Sequence, residues 1–351
     1  MSNRKFNIAD WNANHFKKVE EVAHKVKVIY YTAVKEATQI ALSANPDPAQ
    51  EFTFDAYPKT RERINDLLQK LALHLVVTIQ AGQKAEWTLA NAKNDALVGY
   101  VLGKTALSRA SVSRYSNQNL EALAAFQQRK IQGLGVSDRV WKYTTQFRRE
   151  MELGLDLGIG EGKSAVQIAR SMQQYLVEPD NLFRRVRNKR GNLVLSKNAE
   201  LFHPGTGVYR SSYKNALRLS RTEINAAYHS ADRARWSQLD FVVGYEVRRS
   251  NNKTACEVCD SLKGFYPKSF VWNSWHPSCR CNAIPILATA EELSQLNRLL
   301  LTDQDTSAFR SSKEITQINP GFMEWLDRNQ ERLSRAKSLP SFITDNLALG
   351  V

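Results

Sequence analysis

Apolar positions along the first hundred residues recur at steps of three and four. Phe16, Val19, Val22, Val26, Ile29, Tyr30 and Ala33 give one apolar face to a helix running from about residue 9 to residue 43, with Asp10 placed to cap its start. Asn45-Pro46-Asp47-Pro48 ends that helix, and a loop leads to Pro58. The same period returns in Ile64, Leu67, Leu68, Leu71, Leu75, Ile79 and Trp87, which predicts a second long helix from about Pro58 to Leu102, with Gly82 a candidate bend. Residues 103–116 are Ser-rich and show no period, so they read as an exposed connection. Helical pattern resumes over about 119–131 and, after Ser137 as cap, over about 138–157. The glycines from Gly158 to Gly162 are expected to break it before a further helix from Lys163 to Leu176.

A strong helix is then predicted from about Ser212 to Leu239. Leu217, Ser220, Ile224, Ala227, Ala231 and Ala234 line one face, and most are small enough for another element to approach the backbone. Arg221, Asn225, Tyr228, Asp232 and Arg235 form a polar stripe beside it. From there the period changes from 3.6 to two. Phe241, Val243, Tyr245 and Val247 alternate with Val242, Gly244, Glu246 and Arg248, the pattern of a half-buried strand. Short strands near 264–272 and 281–286 complete a small sheet, and the tail is helical again near 290–301, 321–336 and 339–342. The class is therefore α+β and predominantly α-helical: long N-terminal helices, then a helix plus a small antiparallel sheet with a metal-binding knuckle. At 351 residues the chain exceeds the size at which one core usually stops growing. It divides on pattern into a helical region 1–110, a connector 111–136, a motif-bearing region 137–287 whose last part, 241–287, is the sheet module, and a helical tail 288–351.

Charge adds a partner class. Lys and Arg number 49 against 35 Asp and Glu, a formal net charge of +14, which favours a polyanionic partner or environment, nucleic acid being the obvious case, although a basic soluble protein with no such partner has the same balance. The densest run is Arg184, Arg185, Arg187, Lys189 and Arg190, around a turn at 188–192, and it is a candidate phosphate contact. A solvated loop or an acidic protein surface would use the same residues. Gly162-Lys163-Ser164 invites a phosphate-loop reading, but the glycine required five positions earlier is Leu157 and no strand precedes it. The longest apolar run, Leu71 to Ile79, is interrupted by His74 and is far too short to span a bilayer. The first eight residues lack the apolar core of a signal peptide. The expectation is a soluble chain, with no membrane partner, made in a reducing compartment where thiols stay free to bind metal.

The chemistry concentrates in one stretch. All four cysteines fall within Cys256-Glu257-Val258-Cys259, a gap of sixteen residues, and His276-Pro277-Ser278-Cys279-Arg280-Cys281. Thiolates and imidazole in two close-spaced sets are what a tetrahedral zinc site takes, and Cys256 with Cys259 fits a knuckle. The second set offers His276, Cys279 and Cys281 for two places. In extended backbone Cys279 and Cys281 would face opposite ways, leaving one of them beside the site. A pair of disulfides or four buried thiols are the other uses of such a cluster. Trp272 and Trp275 read as cover for the ion, His229 as a surface or interface histidine, and Arg221-Thr222-Glu223 as structural, with the Arg and Glu bonding across to the zinc-bearing module.

The order is specific: a helix with Arg221-Thr222-Glu223, a strand from Val242 to Arg249, Cys256-x-x-Cys259, Gly264, then His276-Pro277-x-Cys279-Arg280-Cys281. Over about residues 137–287 it resembles the phage head morphogenesis family named after protein F of phage Mu, the minor head proteins of tailed phages and prophages. That resemblance implies a virion component made in the bacterial host cytoplasm. Its place would be near the portal vertex or head interior, with the portal protein or major capsid protein as partner and packaged double-stranded DNA close by. It implies a role in head assembly, packaging or DNA delivery, a structural zinc ion, and no catalysis. Some relatives carry an enzyme or toxin after the zinc module, for which the tail here is too short. The alternative is a zinc-finger-like DNA-binding protein or nuclease of phage origin. A nuclease needs a general base beside a catalytic metal, whereas His276 is the one histidine of the site region and is wanted as a ligand.

Overall fold

The computed structural model describes residues 6–103, 107–179, 185–187, 189–191, 193–195, 211–250, 256–302 and 304–350. The fold is α+β and mainly helical, as the pattern predicts. The described residues form two compact units, each assembled from separated stretches of chain. One unit comprises Glu21–Gln80 and Lys130–Arg221, the other Met1–Glu20, Ala81–Arg129 and Thr222–Val351. The sequence reading divides the chain into consecutive segments instead. Long helices account for this, because a helix of 35 or 45 residues outruns a single core: α1 (Ile8–Leu42) and α2 (Pro58–Leu102) each contribute one part to each unit.

The first unit is a helical core. Val26, Tyr30, Val34 and Ala41 of α1 and Ile64, Leu71, Leu75 and Ile79 of α2 pack with α5 (Val136–Gly160), through Val140, Phe147, Met151 and Leu155, and with α6 (Ala165–Val177), through Ile168 and Met172. Here the glycine reading is corrected. The helix does not break at Gly158 but runs to Gly160, because Gly154 and Gly158 sit one turn apart on the face that receives α6. A Cβ at Gly154 would meet Met172 Sδ at 1.7 Å, and one at Gly158 would meet Ile168 Cγ1 at 2.5 Å. Absent side chains let α6 pack against the α5 backbone, and the chain turns only at Glu161–Gly162. Ser164 caps α6 in a capping box with Gln167, which gives Gly162-Lys163-Ser164 a helix-start role. Strands β1 (Arg185–Arg187) and β2 (Leu193–Leu195) form an antiparallel pair around the basic turn.

The second unit contains the sheet. Helix α7 (Ser212–Gln238) supplies Ala226, Ala227, Tyr228 and Ala231 to a core with Trp87 and Ala90 of α2 and with Leu123 and Phe126 of α4 (Leu120–Gln128). The segment read as an aperiodic connection holds a short helix, α3 (Arg109–Tyr115), capped by Ser108. Seven residues are too few for an apolar period to show. Strand β3 (Val242–Arg248) lies between β4 (Gly264–Tyr266) and β5 (Asn282–Leu287), antiparallel to both. Its alternation promises one wet face, yet Val242 to Tyr245 are all buried. The tail covers the second face. Ile315 packs over Gly244 and donates its N–H to the Val243 carbonyl, at 2.9 Å, where the register slips between Val242 and Gly244. Helices α9 (Ala290–Leu301), α10 (Pro320–Ser334) and α11 (Ser341–Thr344) complete this core, with Phe322 and Phe342 against Trp275 and with Phe322 also against Phe270.

Candidate metal centre

Local structure aims the knuckle. Cys256 is the residue before α8 (Glu257–Leu262) and Cys259 lies in its first turn, three residues on, so both sulfurs project from one side. Two hydrogen bonds fix that turn, from Asp260 N–H to the Cys256 carbonyl at 2.9 Å and from Lys263 N–H to the Cys259 carbonyl at 3.1 Å. Arg249 grips both oxygens of Asp260 at 2.8 Å and ties the helix to the end of β3. Gly264 follows with φ near +140° and with the Asn319 amide seated where a side chain would stand. The sequence motif thus has glycine where backbone and packing both exclude a Cβ.

The opposite half is a turn. Cys279 N–H closes onto the His276 carbonyl at 3.1 Å, and Ser278 takes the left-handed conformation at φ 59°. His276 Nε2 lies 3.3 Å from Cys256 Sγ and 3.0 Å from Cys259 Sγ. His276 Nδ1 is 3.0 Å from the Pro277 carbonyl, which can only accept, so the proton belongs on Nδ1 and the Nε2 lone pair faces the sulfurs. Metal-bound histidines are oriented in this way by a carbonyl on the other nitrogen.

Two overlapping triads result. Ligand atoms of Cys256, Cys259 and His276 lie within 4.8 Å of one another, as do those of Cys259, Cys279 and Cys281. Cys259 to Cys279 is 3.8 Å between sulfurs. A tetrahedron with metal–sulfur bonds of about 2.3 Å has sulfur–sulfur edges of about 3.8 Å, so the donor set fits a metal ion. Cys279 and Cys281 do not face apart. The segment is leaving the turn at Ser278, and strand begins only at Asn282, so both thiols reach Cys259. No disulfide forms among the four cysteines. Hydrogen bonds from Cys259 and Cys281 pull the Cys279 thiol well below the ordinary range, and the bond to Cys279 pushes Cys259 well up.

The Arg221-Thr222-Glu223 motif resolves residue by residue. Thr222 Oγ1 accepts the Ser278 N–H at 3.0 Å, so the threonine ties helix to metal turn, the role expected of Arg and Glu. Glu223 is fully buried and takes Gln83 of α2 at 3.0 Å and Arg129 at 2.7 Å. Arg221 belongs to the other compact unit and is half-buried. Further along α7, Ser230 holds Asn273 Oδ1 at 2.9 Å, and from α1 Glu20 holds Arg280 at 3.0 Å.

Three readings need correction or placement. Of the surface and interface readings of His229, the surface one fails. The residue is 2% exposed, its ring lies 4.6 Å from that of Trp272, and burial pushes its pKa well below the ordinary value. Trp275 joins the aromatic cluster with Tyr266, Phe322 and Phe342. Of the basic run, Arg184 lies outside the described residues, Arg185 and Arg187 stand in β1, and Lys189 and Arg190 are exposed in the turn.

Sequence reading missed a buried polar brace on α7. His15 of α1 is fully buried between Glu86 at 2.5 Å and Asn225 at 2.9 Å. Lys93 meets Asp232 at 2.5 Å and sits 4.3 Å over the Tyr228 ring. Burial lowers the Lys93 pKa and raises that of Asp232, each opposed by the partner's charge. Arg235 reaches Asn91 at 3.0 Å and Asp95 at 2.6 Å. The available signal was the polar stripe Asn225–Tyr228–Asp232–Arg235 itself, facing like-spaced polar residues on α2. Among the described residues no helix is long and apolar enough to cross a membrane. Comparison with family models, with curated proteins and with solved structures finds no match in any of the three.

Proposed function

We propose that this chain is a minor head protein of a tailed phage or prophage, similar to the family of phage Mu protein F, and that a structural zinc ion cross-links its sheet module. One observation carries the reading: the two motifs that define the resemblance, Thr222 within Arg221-Thr222-Glu223 and Ser278 within His276 to Cys281, are joined by a hydrogen bond of 3.0 Å beside the cysteine cluster. Cys256, Cys259 and His276 supply three ligands, and Cys279 or Cys281 the fourth. The ion would supply a cross-link between α8 and the turn before β5.

In this role the protein assembles with the portal protein or major capsid protein, lies beside packaged DNA and performs no catalysis. The net charge of +14 suits that surrounding. Quantitative mass spectrometry of gradient-purified particles, scaled to the portal protein, tests it. A few copies per particle are expected. Absence from the particles, together with metal-dependent cleavage of plasmid DNA by the purified protein, would overturn the reading in favour of a nuclease.

A further inference from the structure

In the unit that holds the sheet, α2 and α7 meet through Lys93 and Asp232, each 1% exposed. Lys93 Nζ lies 2.5 Å from Asp232 Oδ2, and among the described residues that is the one hydrogen bond it makes, although an ammonium carries three donors. Ring faces take the remaining space, with Nζ 4.3 Å from the Tyr228 centroid and 5.7 Å from that of Trp236. The other carboxylate oxygen, Oδ1, accepts an N–H of the Asn94 amide at 2.8 Å. The orientation of that amide is fixed, because Trp236 Nε1 donates to Asn94 Oδ1 at 2.8 Å and the Ala90 carbonyl accepts from Asn94 Nδ2 at 2.8 Å. An amine, a carboxyl, a donor on the far oxygen of that carboxyl and an aromatic wall that excludes water thus stand together. Amide formation needs these parts: a nucleophile, an acyl carbon, an oxyanion donor and a dry site. Burial also moves both groups toward their neutral forms, lowering the Lys93 pKa and raising that of Asp232, against the pull of each partner's charge.

We propose that Lys93 and Asp232 condense in the folded chain to an amide that joins α2 to α7. The step balances within the pair. One proton passes from Nζ to Oδ2, leaving an amine beside a carboxylic acid. The Nζ lone pair then adds to Cγ, and Oδ1 takes the negative charge against the Asn94 N–H. A second proton follows from Nζ to Oδ2, the Cγ–Oδ2 bond breaks, and Oδ2 departs as water. No oxidant or outside acid enters. The neighbouring Arg235–Asp95 pair lacks this chemistry, because a guanidinium keeps its proton. Reaction is slow, since the Tyr228 face and the Asp232 charge favour the ammonium and only the minor neutral pair reacts. Freshly folded chain therefore carries the ion pair, and the condensed fraction grows with time.

The test is the intact mass of the full chain, denatured after increasing times of incubation in the folded state. A growing fraction lighter by one water is expected, and fragmentation should map the loss to a branched peptide that joins the Lys93 segment to the Asp232 segment. Lys93→Arg keeps the charge but has no nucleophile, and should show no such loss. Asn94→Ala should condense about a hundredfold more slowly, the effect of removing one oxyanion donor. The wild-type result is decisive whatever the fold of either variant. Wild-type chain that remains folded at its full sequence mass through weeks of incubation would overturn the proposal. So would a lost water that hydroxylamine restores as a cut chain, the mark of a succinimide, or one that maps to any other pair of residues. The chemistry of this pair is independent of the head-protein reading: a chain absent from particles can still condense, and a particle-bound chain can keep its full mass.

Discussion

At the scale of single residues, the metal turn stores a small strain. Ser278 holds a left-handed conformation that a non-glycine residue reaches at a cost of about 1–2 kcal/mol, and its N–H is donated to Thr222 Oγ1. Ser278→Gly should keep the metal-bound melting temperature within about a degree or two, because the lost strain and the added chain entropy oppose each other. Ser278→Val should lower stability by about 1–2 kcal/mol, and Thr222→Val by about 1 kcal/mol. Thermal melts of the three variants check this, and a Ser278→Val protein as stable as wild type would refute the strained turn. Glu150 makes a second residue-scale prediction. Burial raises its pKa from 4.5 to about 8, opposed by hydrogen bonds from Ser212 and Gln146. A group whose folded pKa is raised contributes stability fully present below the unfolded value and lost as pH rises through the folded one. Urea midpoints should therefore fall between about pH 5 and pH 8, by up to about 1.4 kcal/mol per pH unit. Glu150→Gln should flatten that dependence.

At the scale of elements, α7 is the piece on which the second unit is built, and the polar brace is its weak point. Asp232→Ala would leave Lys93 buried without its hydrogen-bonded counter-charge, a loss of about 3–5 kcal/mol. Leaving both partners out, as in Lys93→Met/Asp232→Leu, should recover most of it. A double-mutant cycle on urea unfolding reads the coupling, and additive losses would contradict a buried pair. Elements were also where the sequence was most legible. The long helices follow the apolar period closely, since thirty or more residues repeat it several times over, and Pro58 and the Asn45–Pro48 segment mark their bounds. What escaped notice depended on distant partners. Gly154 and Gly158 read as breakers until α6 is seen packed on them. The second buried face of β3 is made by Ile315, some seventy residues later, and the sequence leaves His229 between surface and interface because nothing local shows Trp272 above it. The cysteine–histidine cluster was legible from spacing alone, but the convergence of Cys279 and Cys281 on Cys259 depends on a left-handed residue that no period reveals.

At the scale of the whole molecule, two compact units share long helices, and the cysteine–histidine cluster lies wholly within the unit that holds the sheet. Cys259, Cys279 and Cys281 lie in the same buried core as Trp272, Trp275 and Phe322. Removing the metal should expose those tryptophans and loosen β3–β5 while leaving the helical core of Val26, Leu75 and Phe147 protected from hydrogen exchange. The cluster is also where the proposed role and the observed geometry meet, so metal content is the first quantity to measure. Elemental analysis of the full chain, purified without added metal, should find one zinc per chain, lost in Cys259→Ser and retained in either Cys279→Ser or Cys281→Ser but not in both. Four freely titrating thiols and no bound metal in a folded wild-type protein would contradict it.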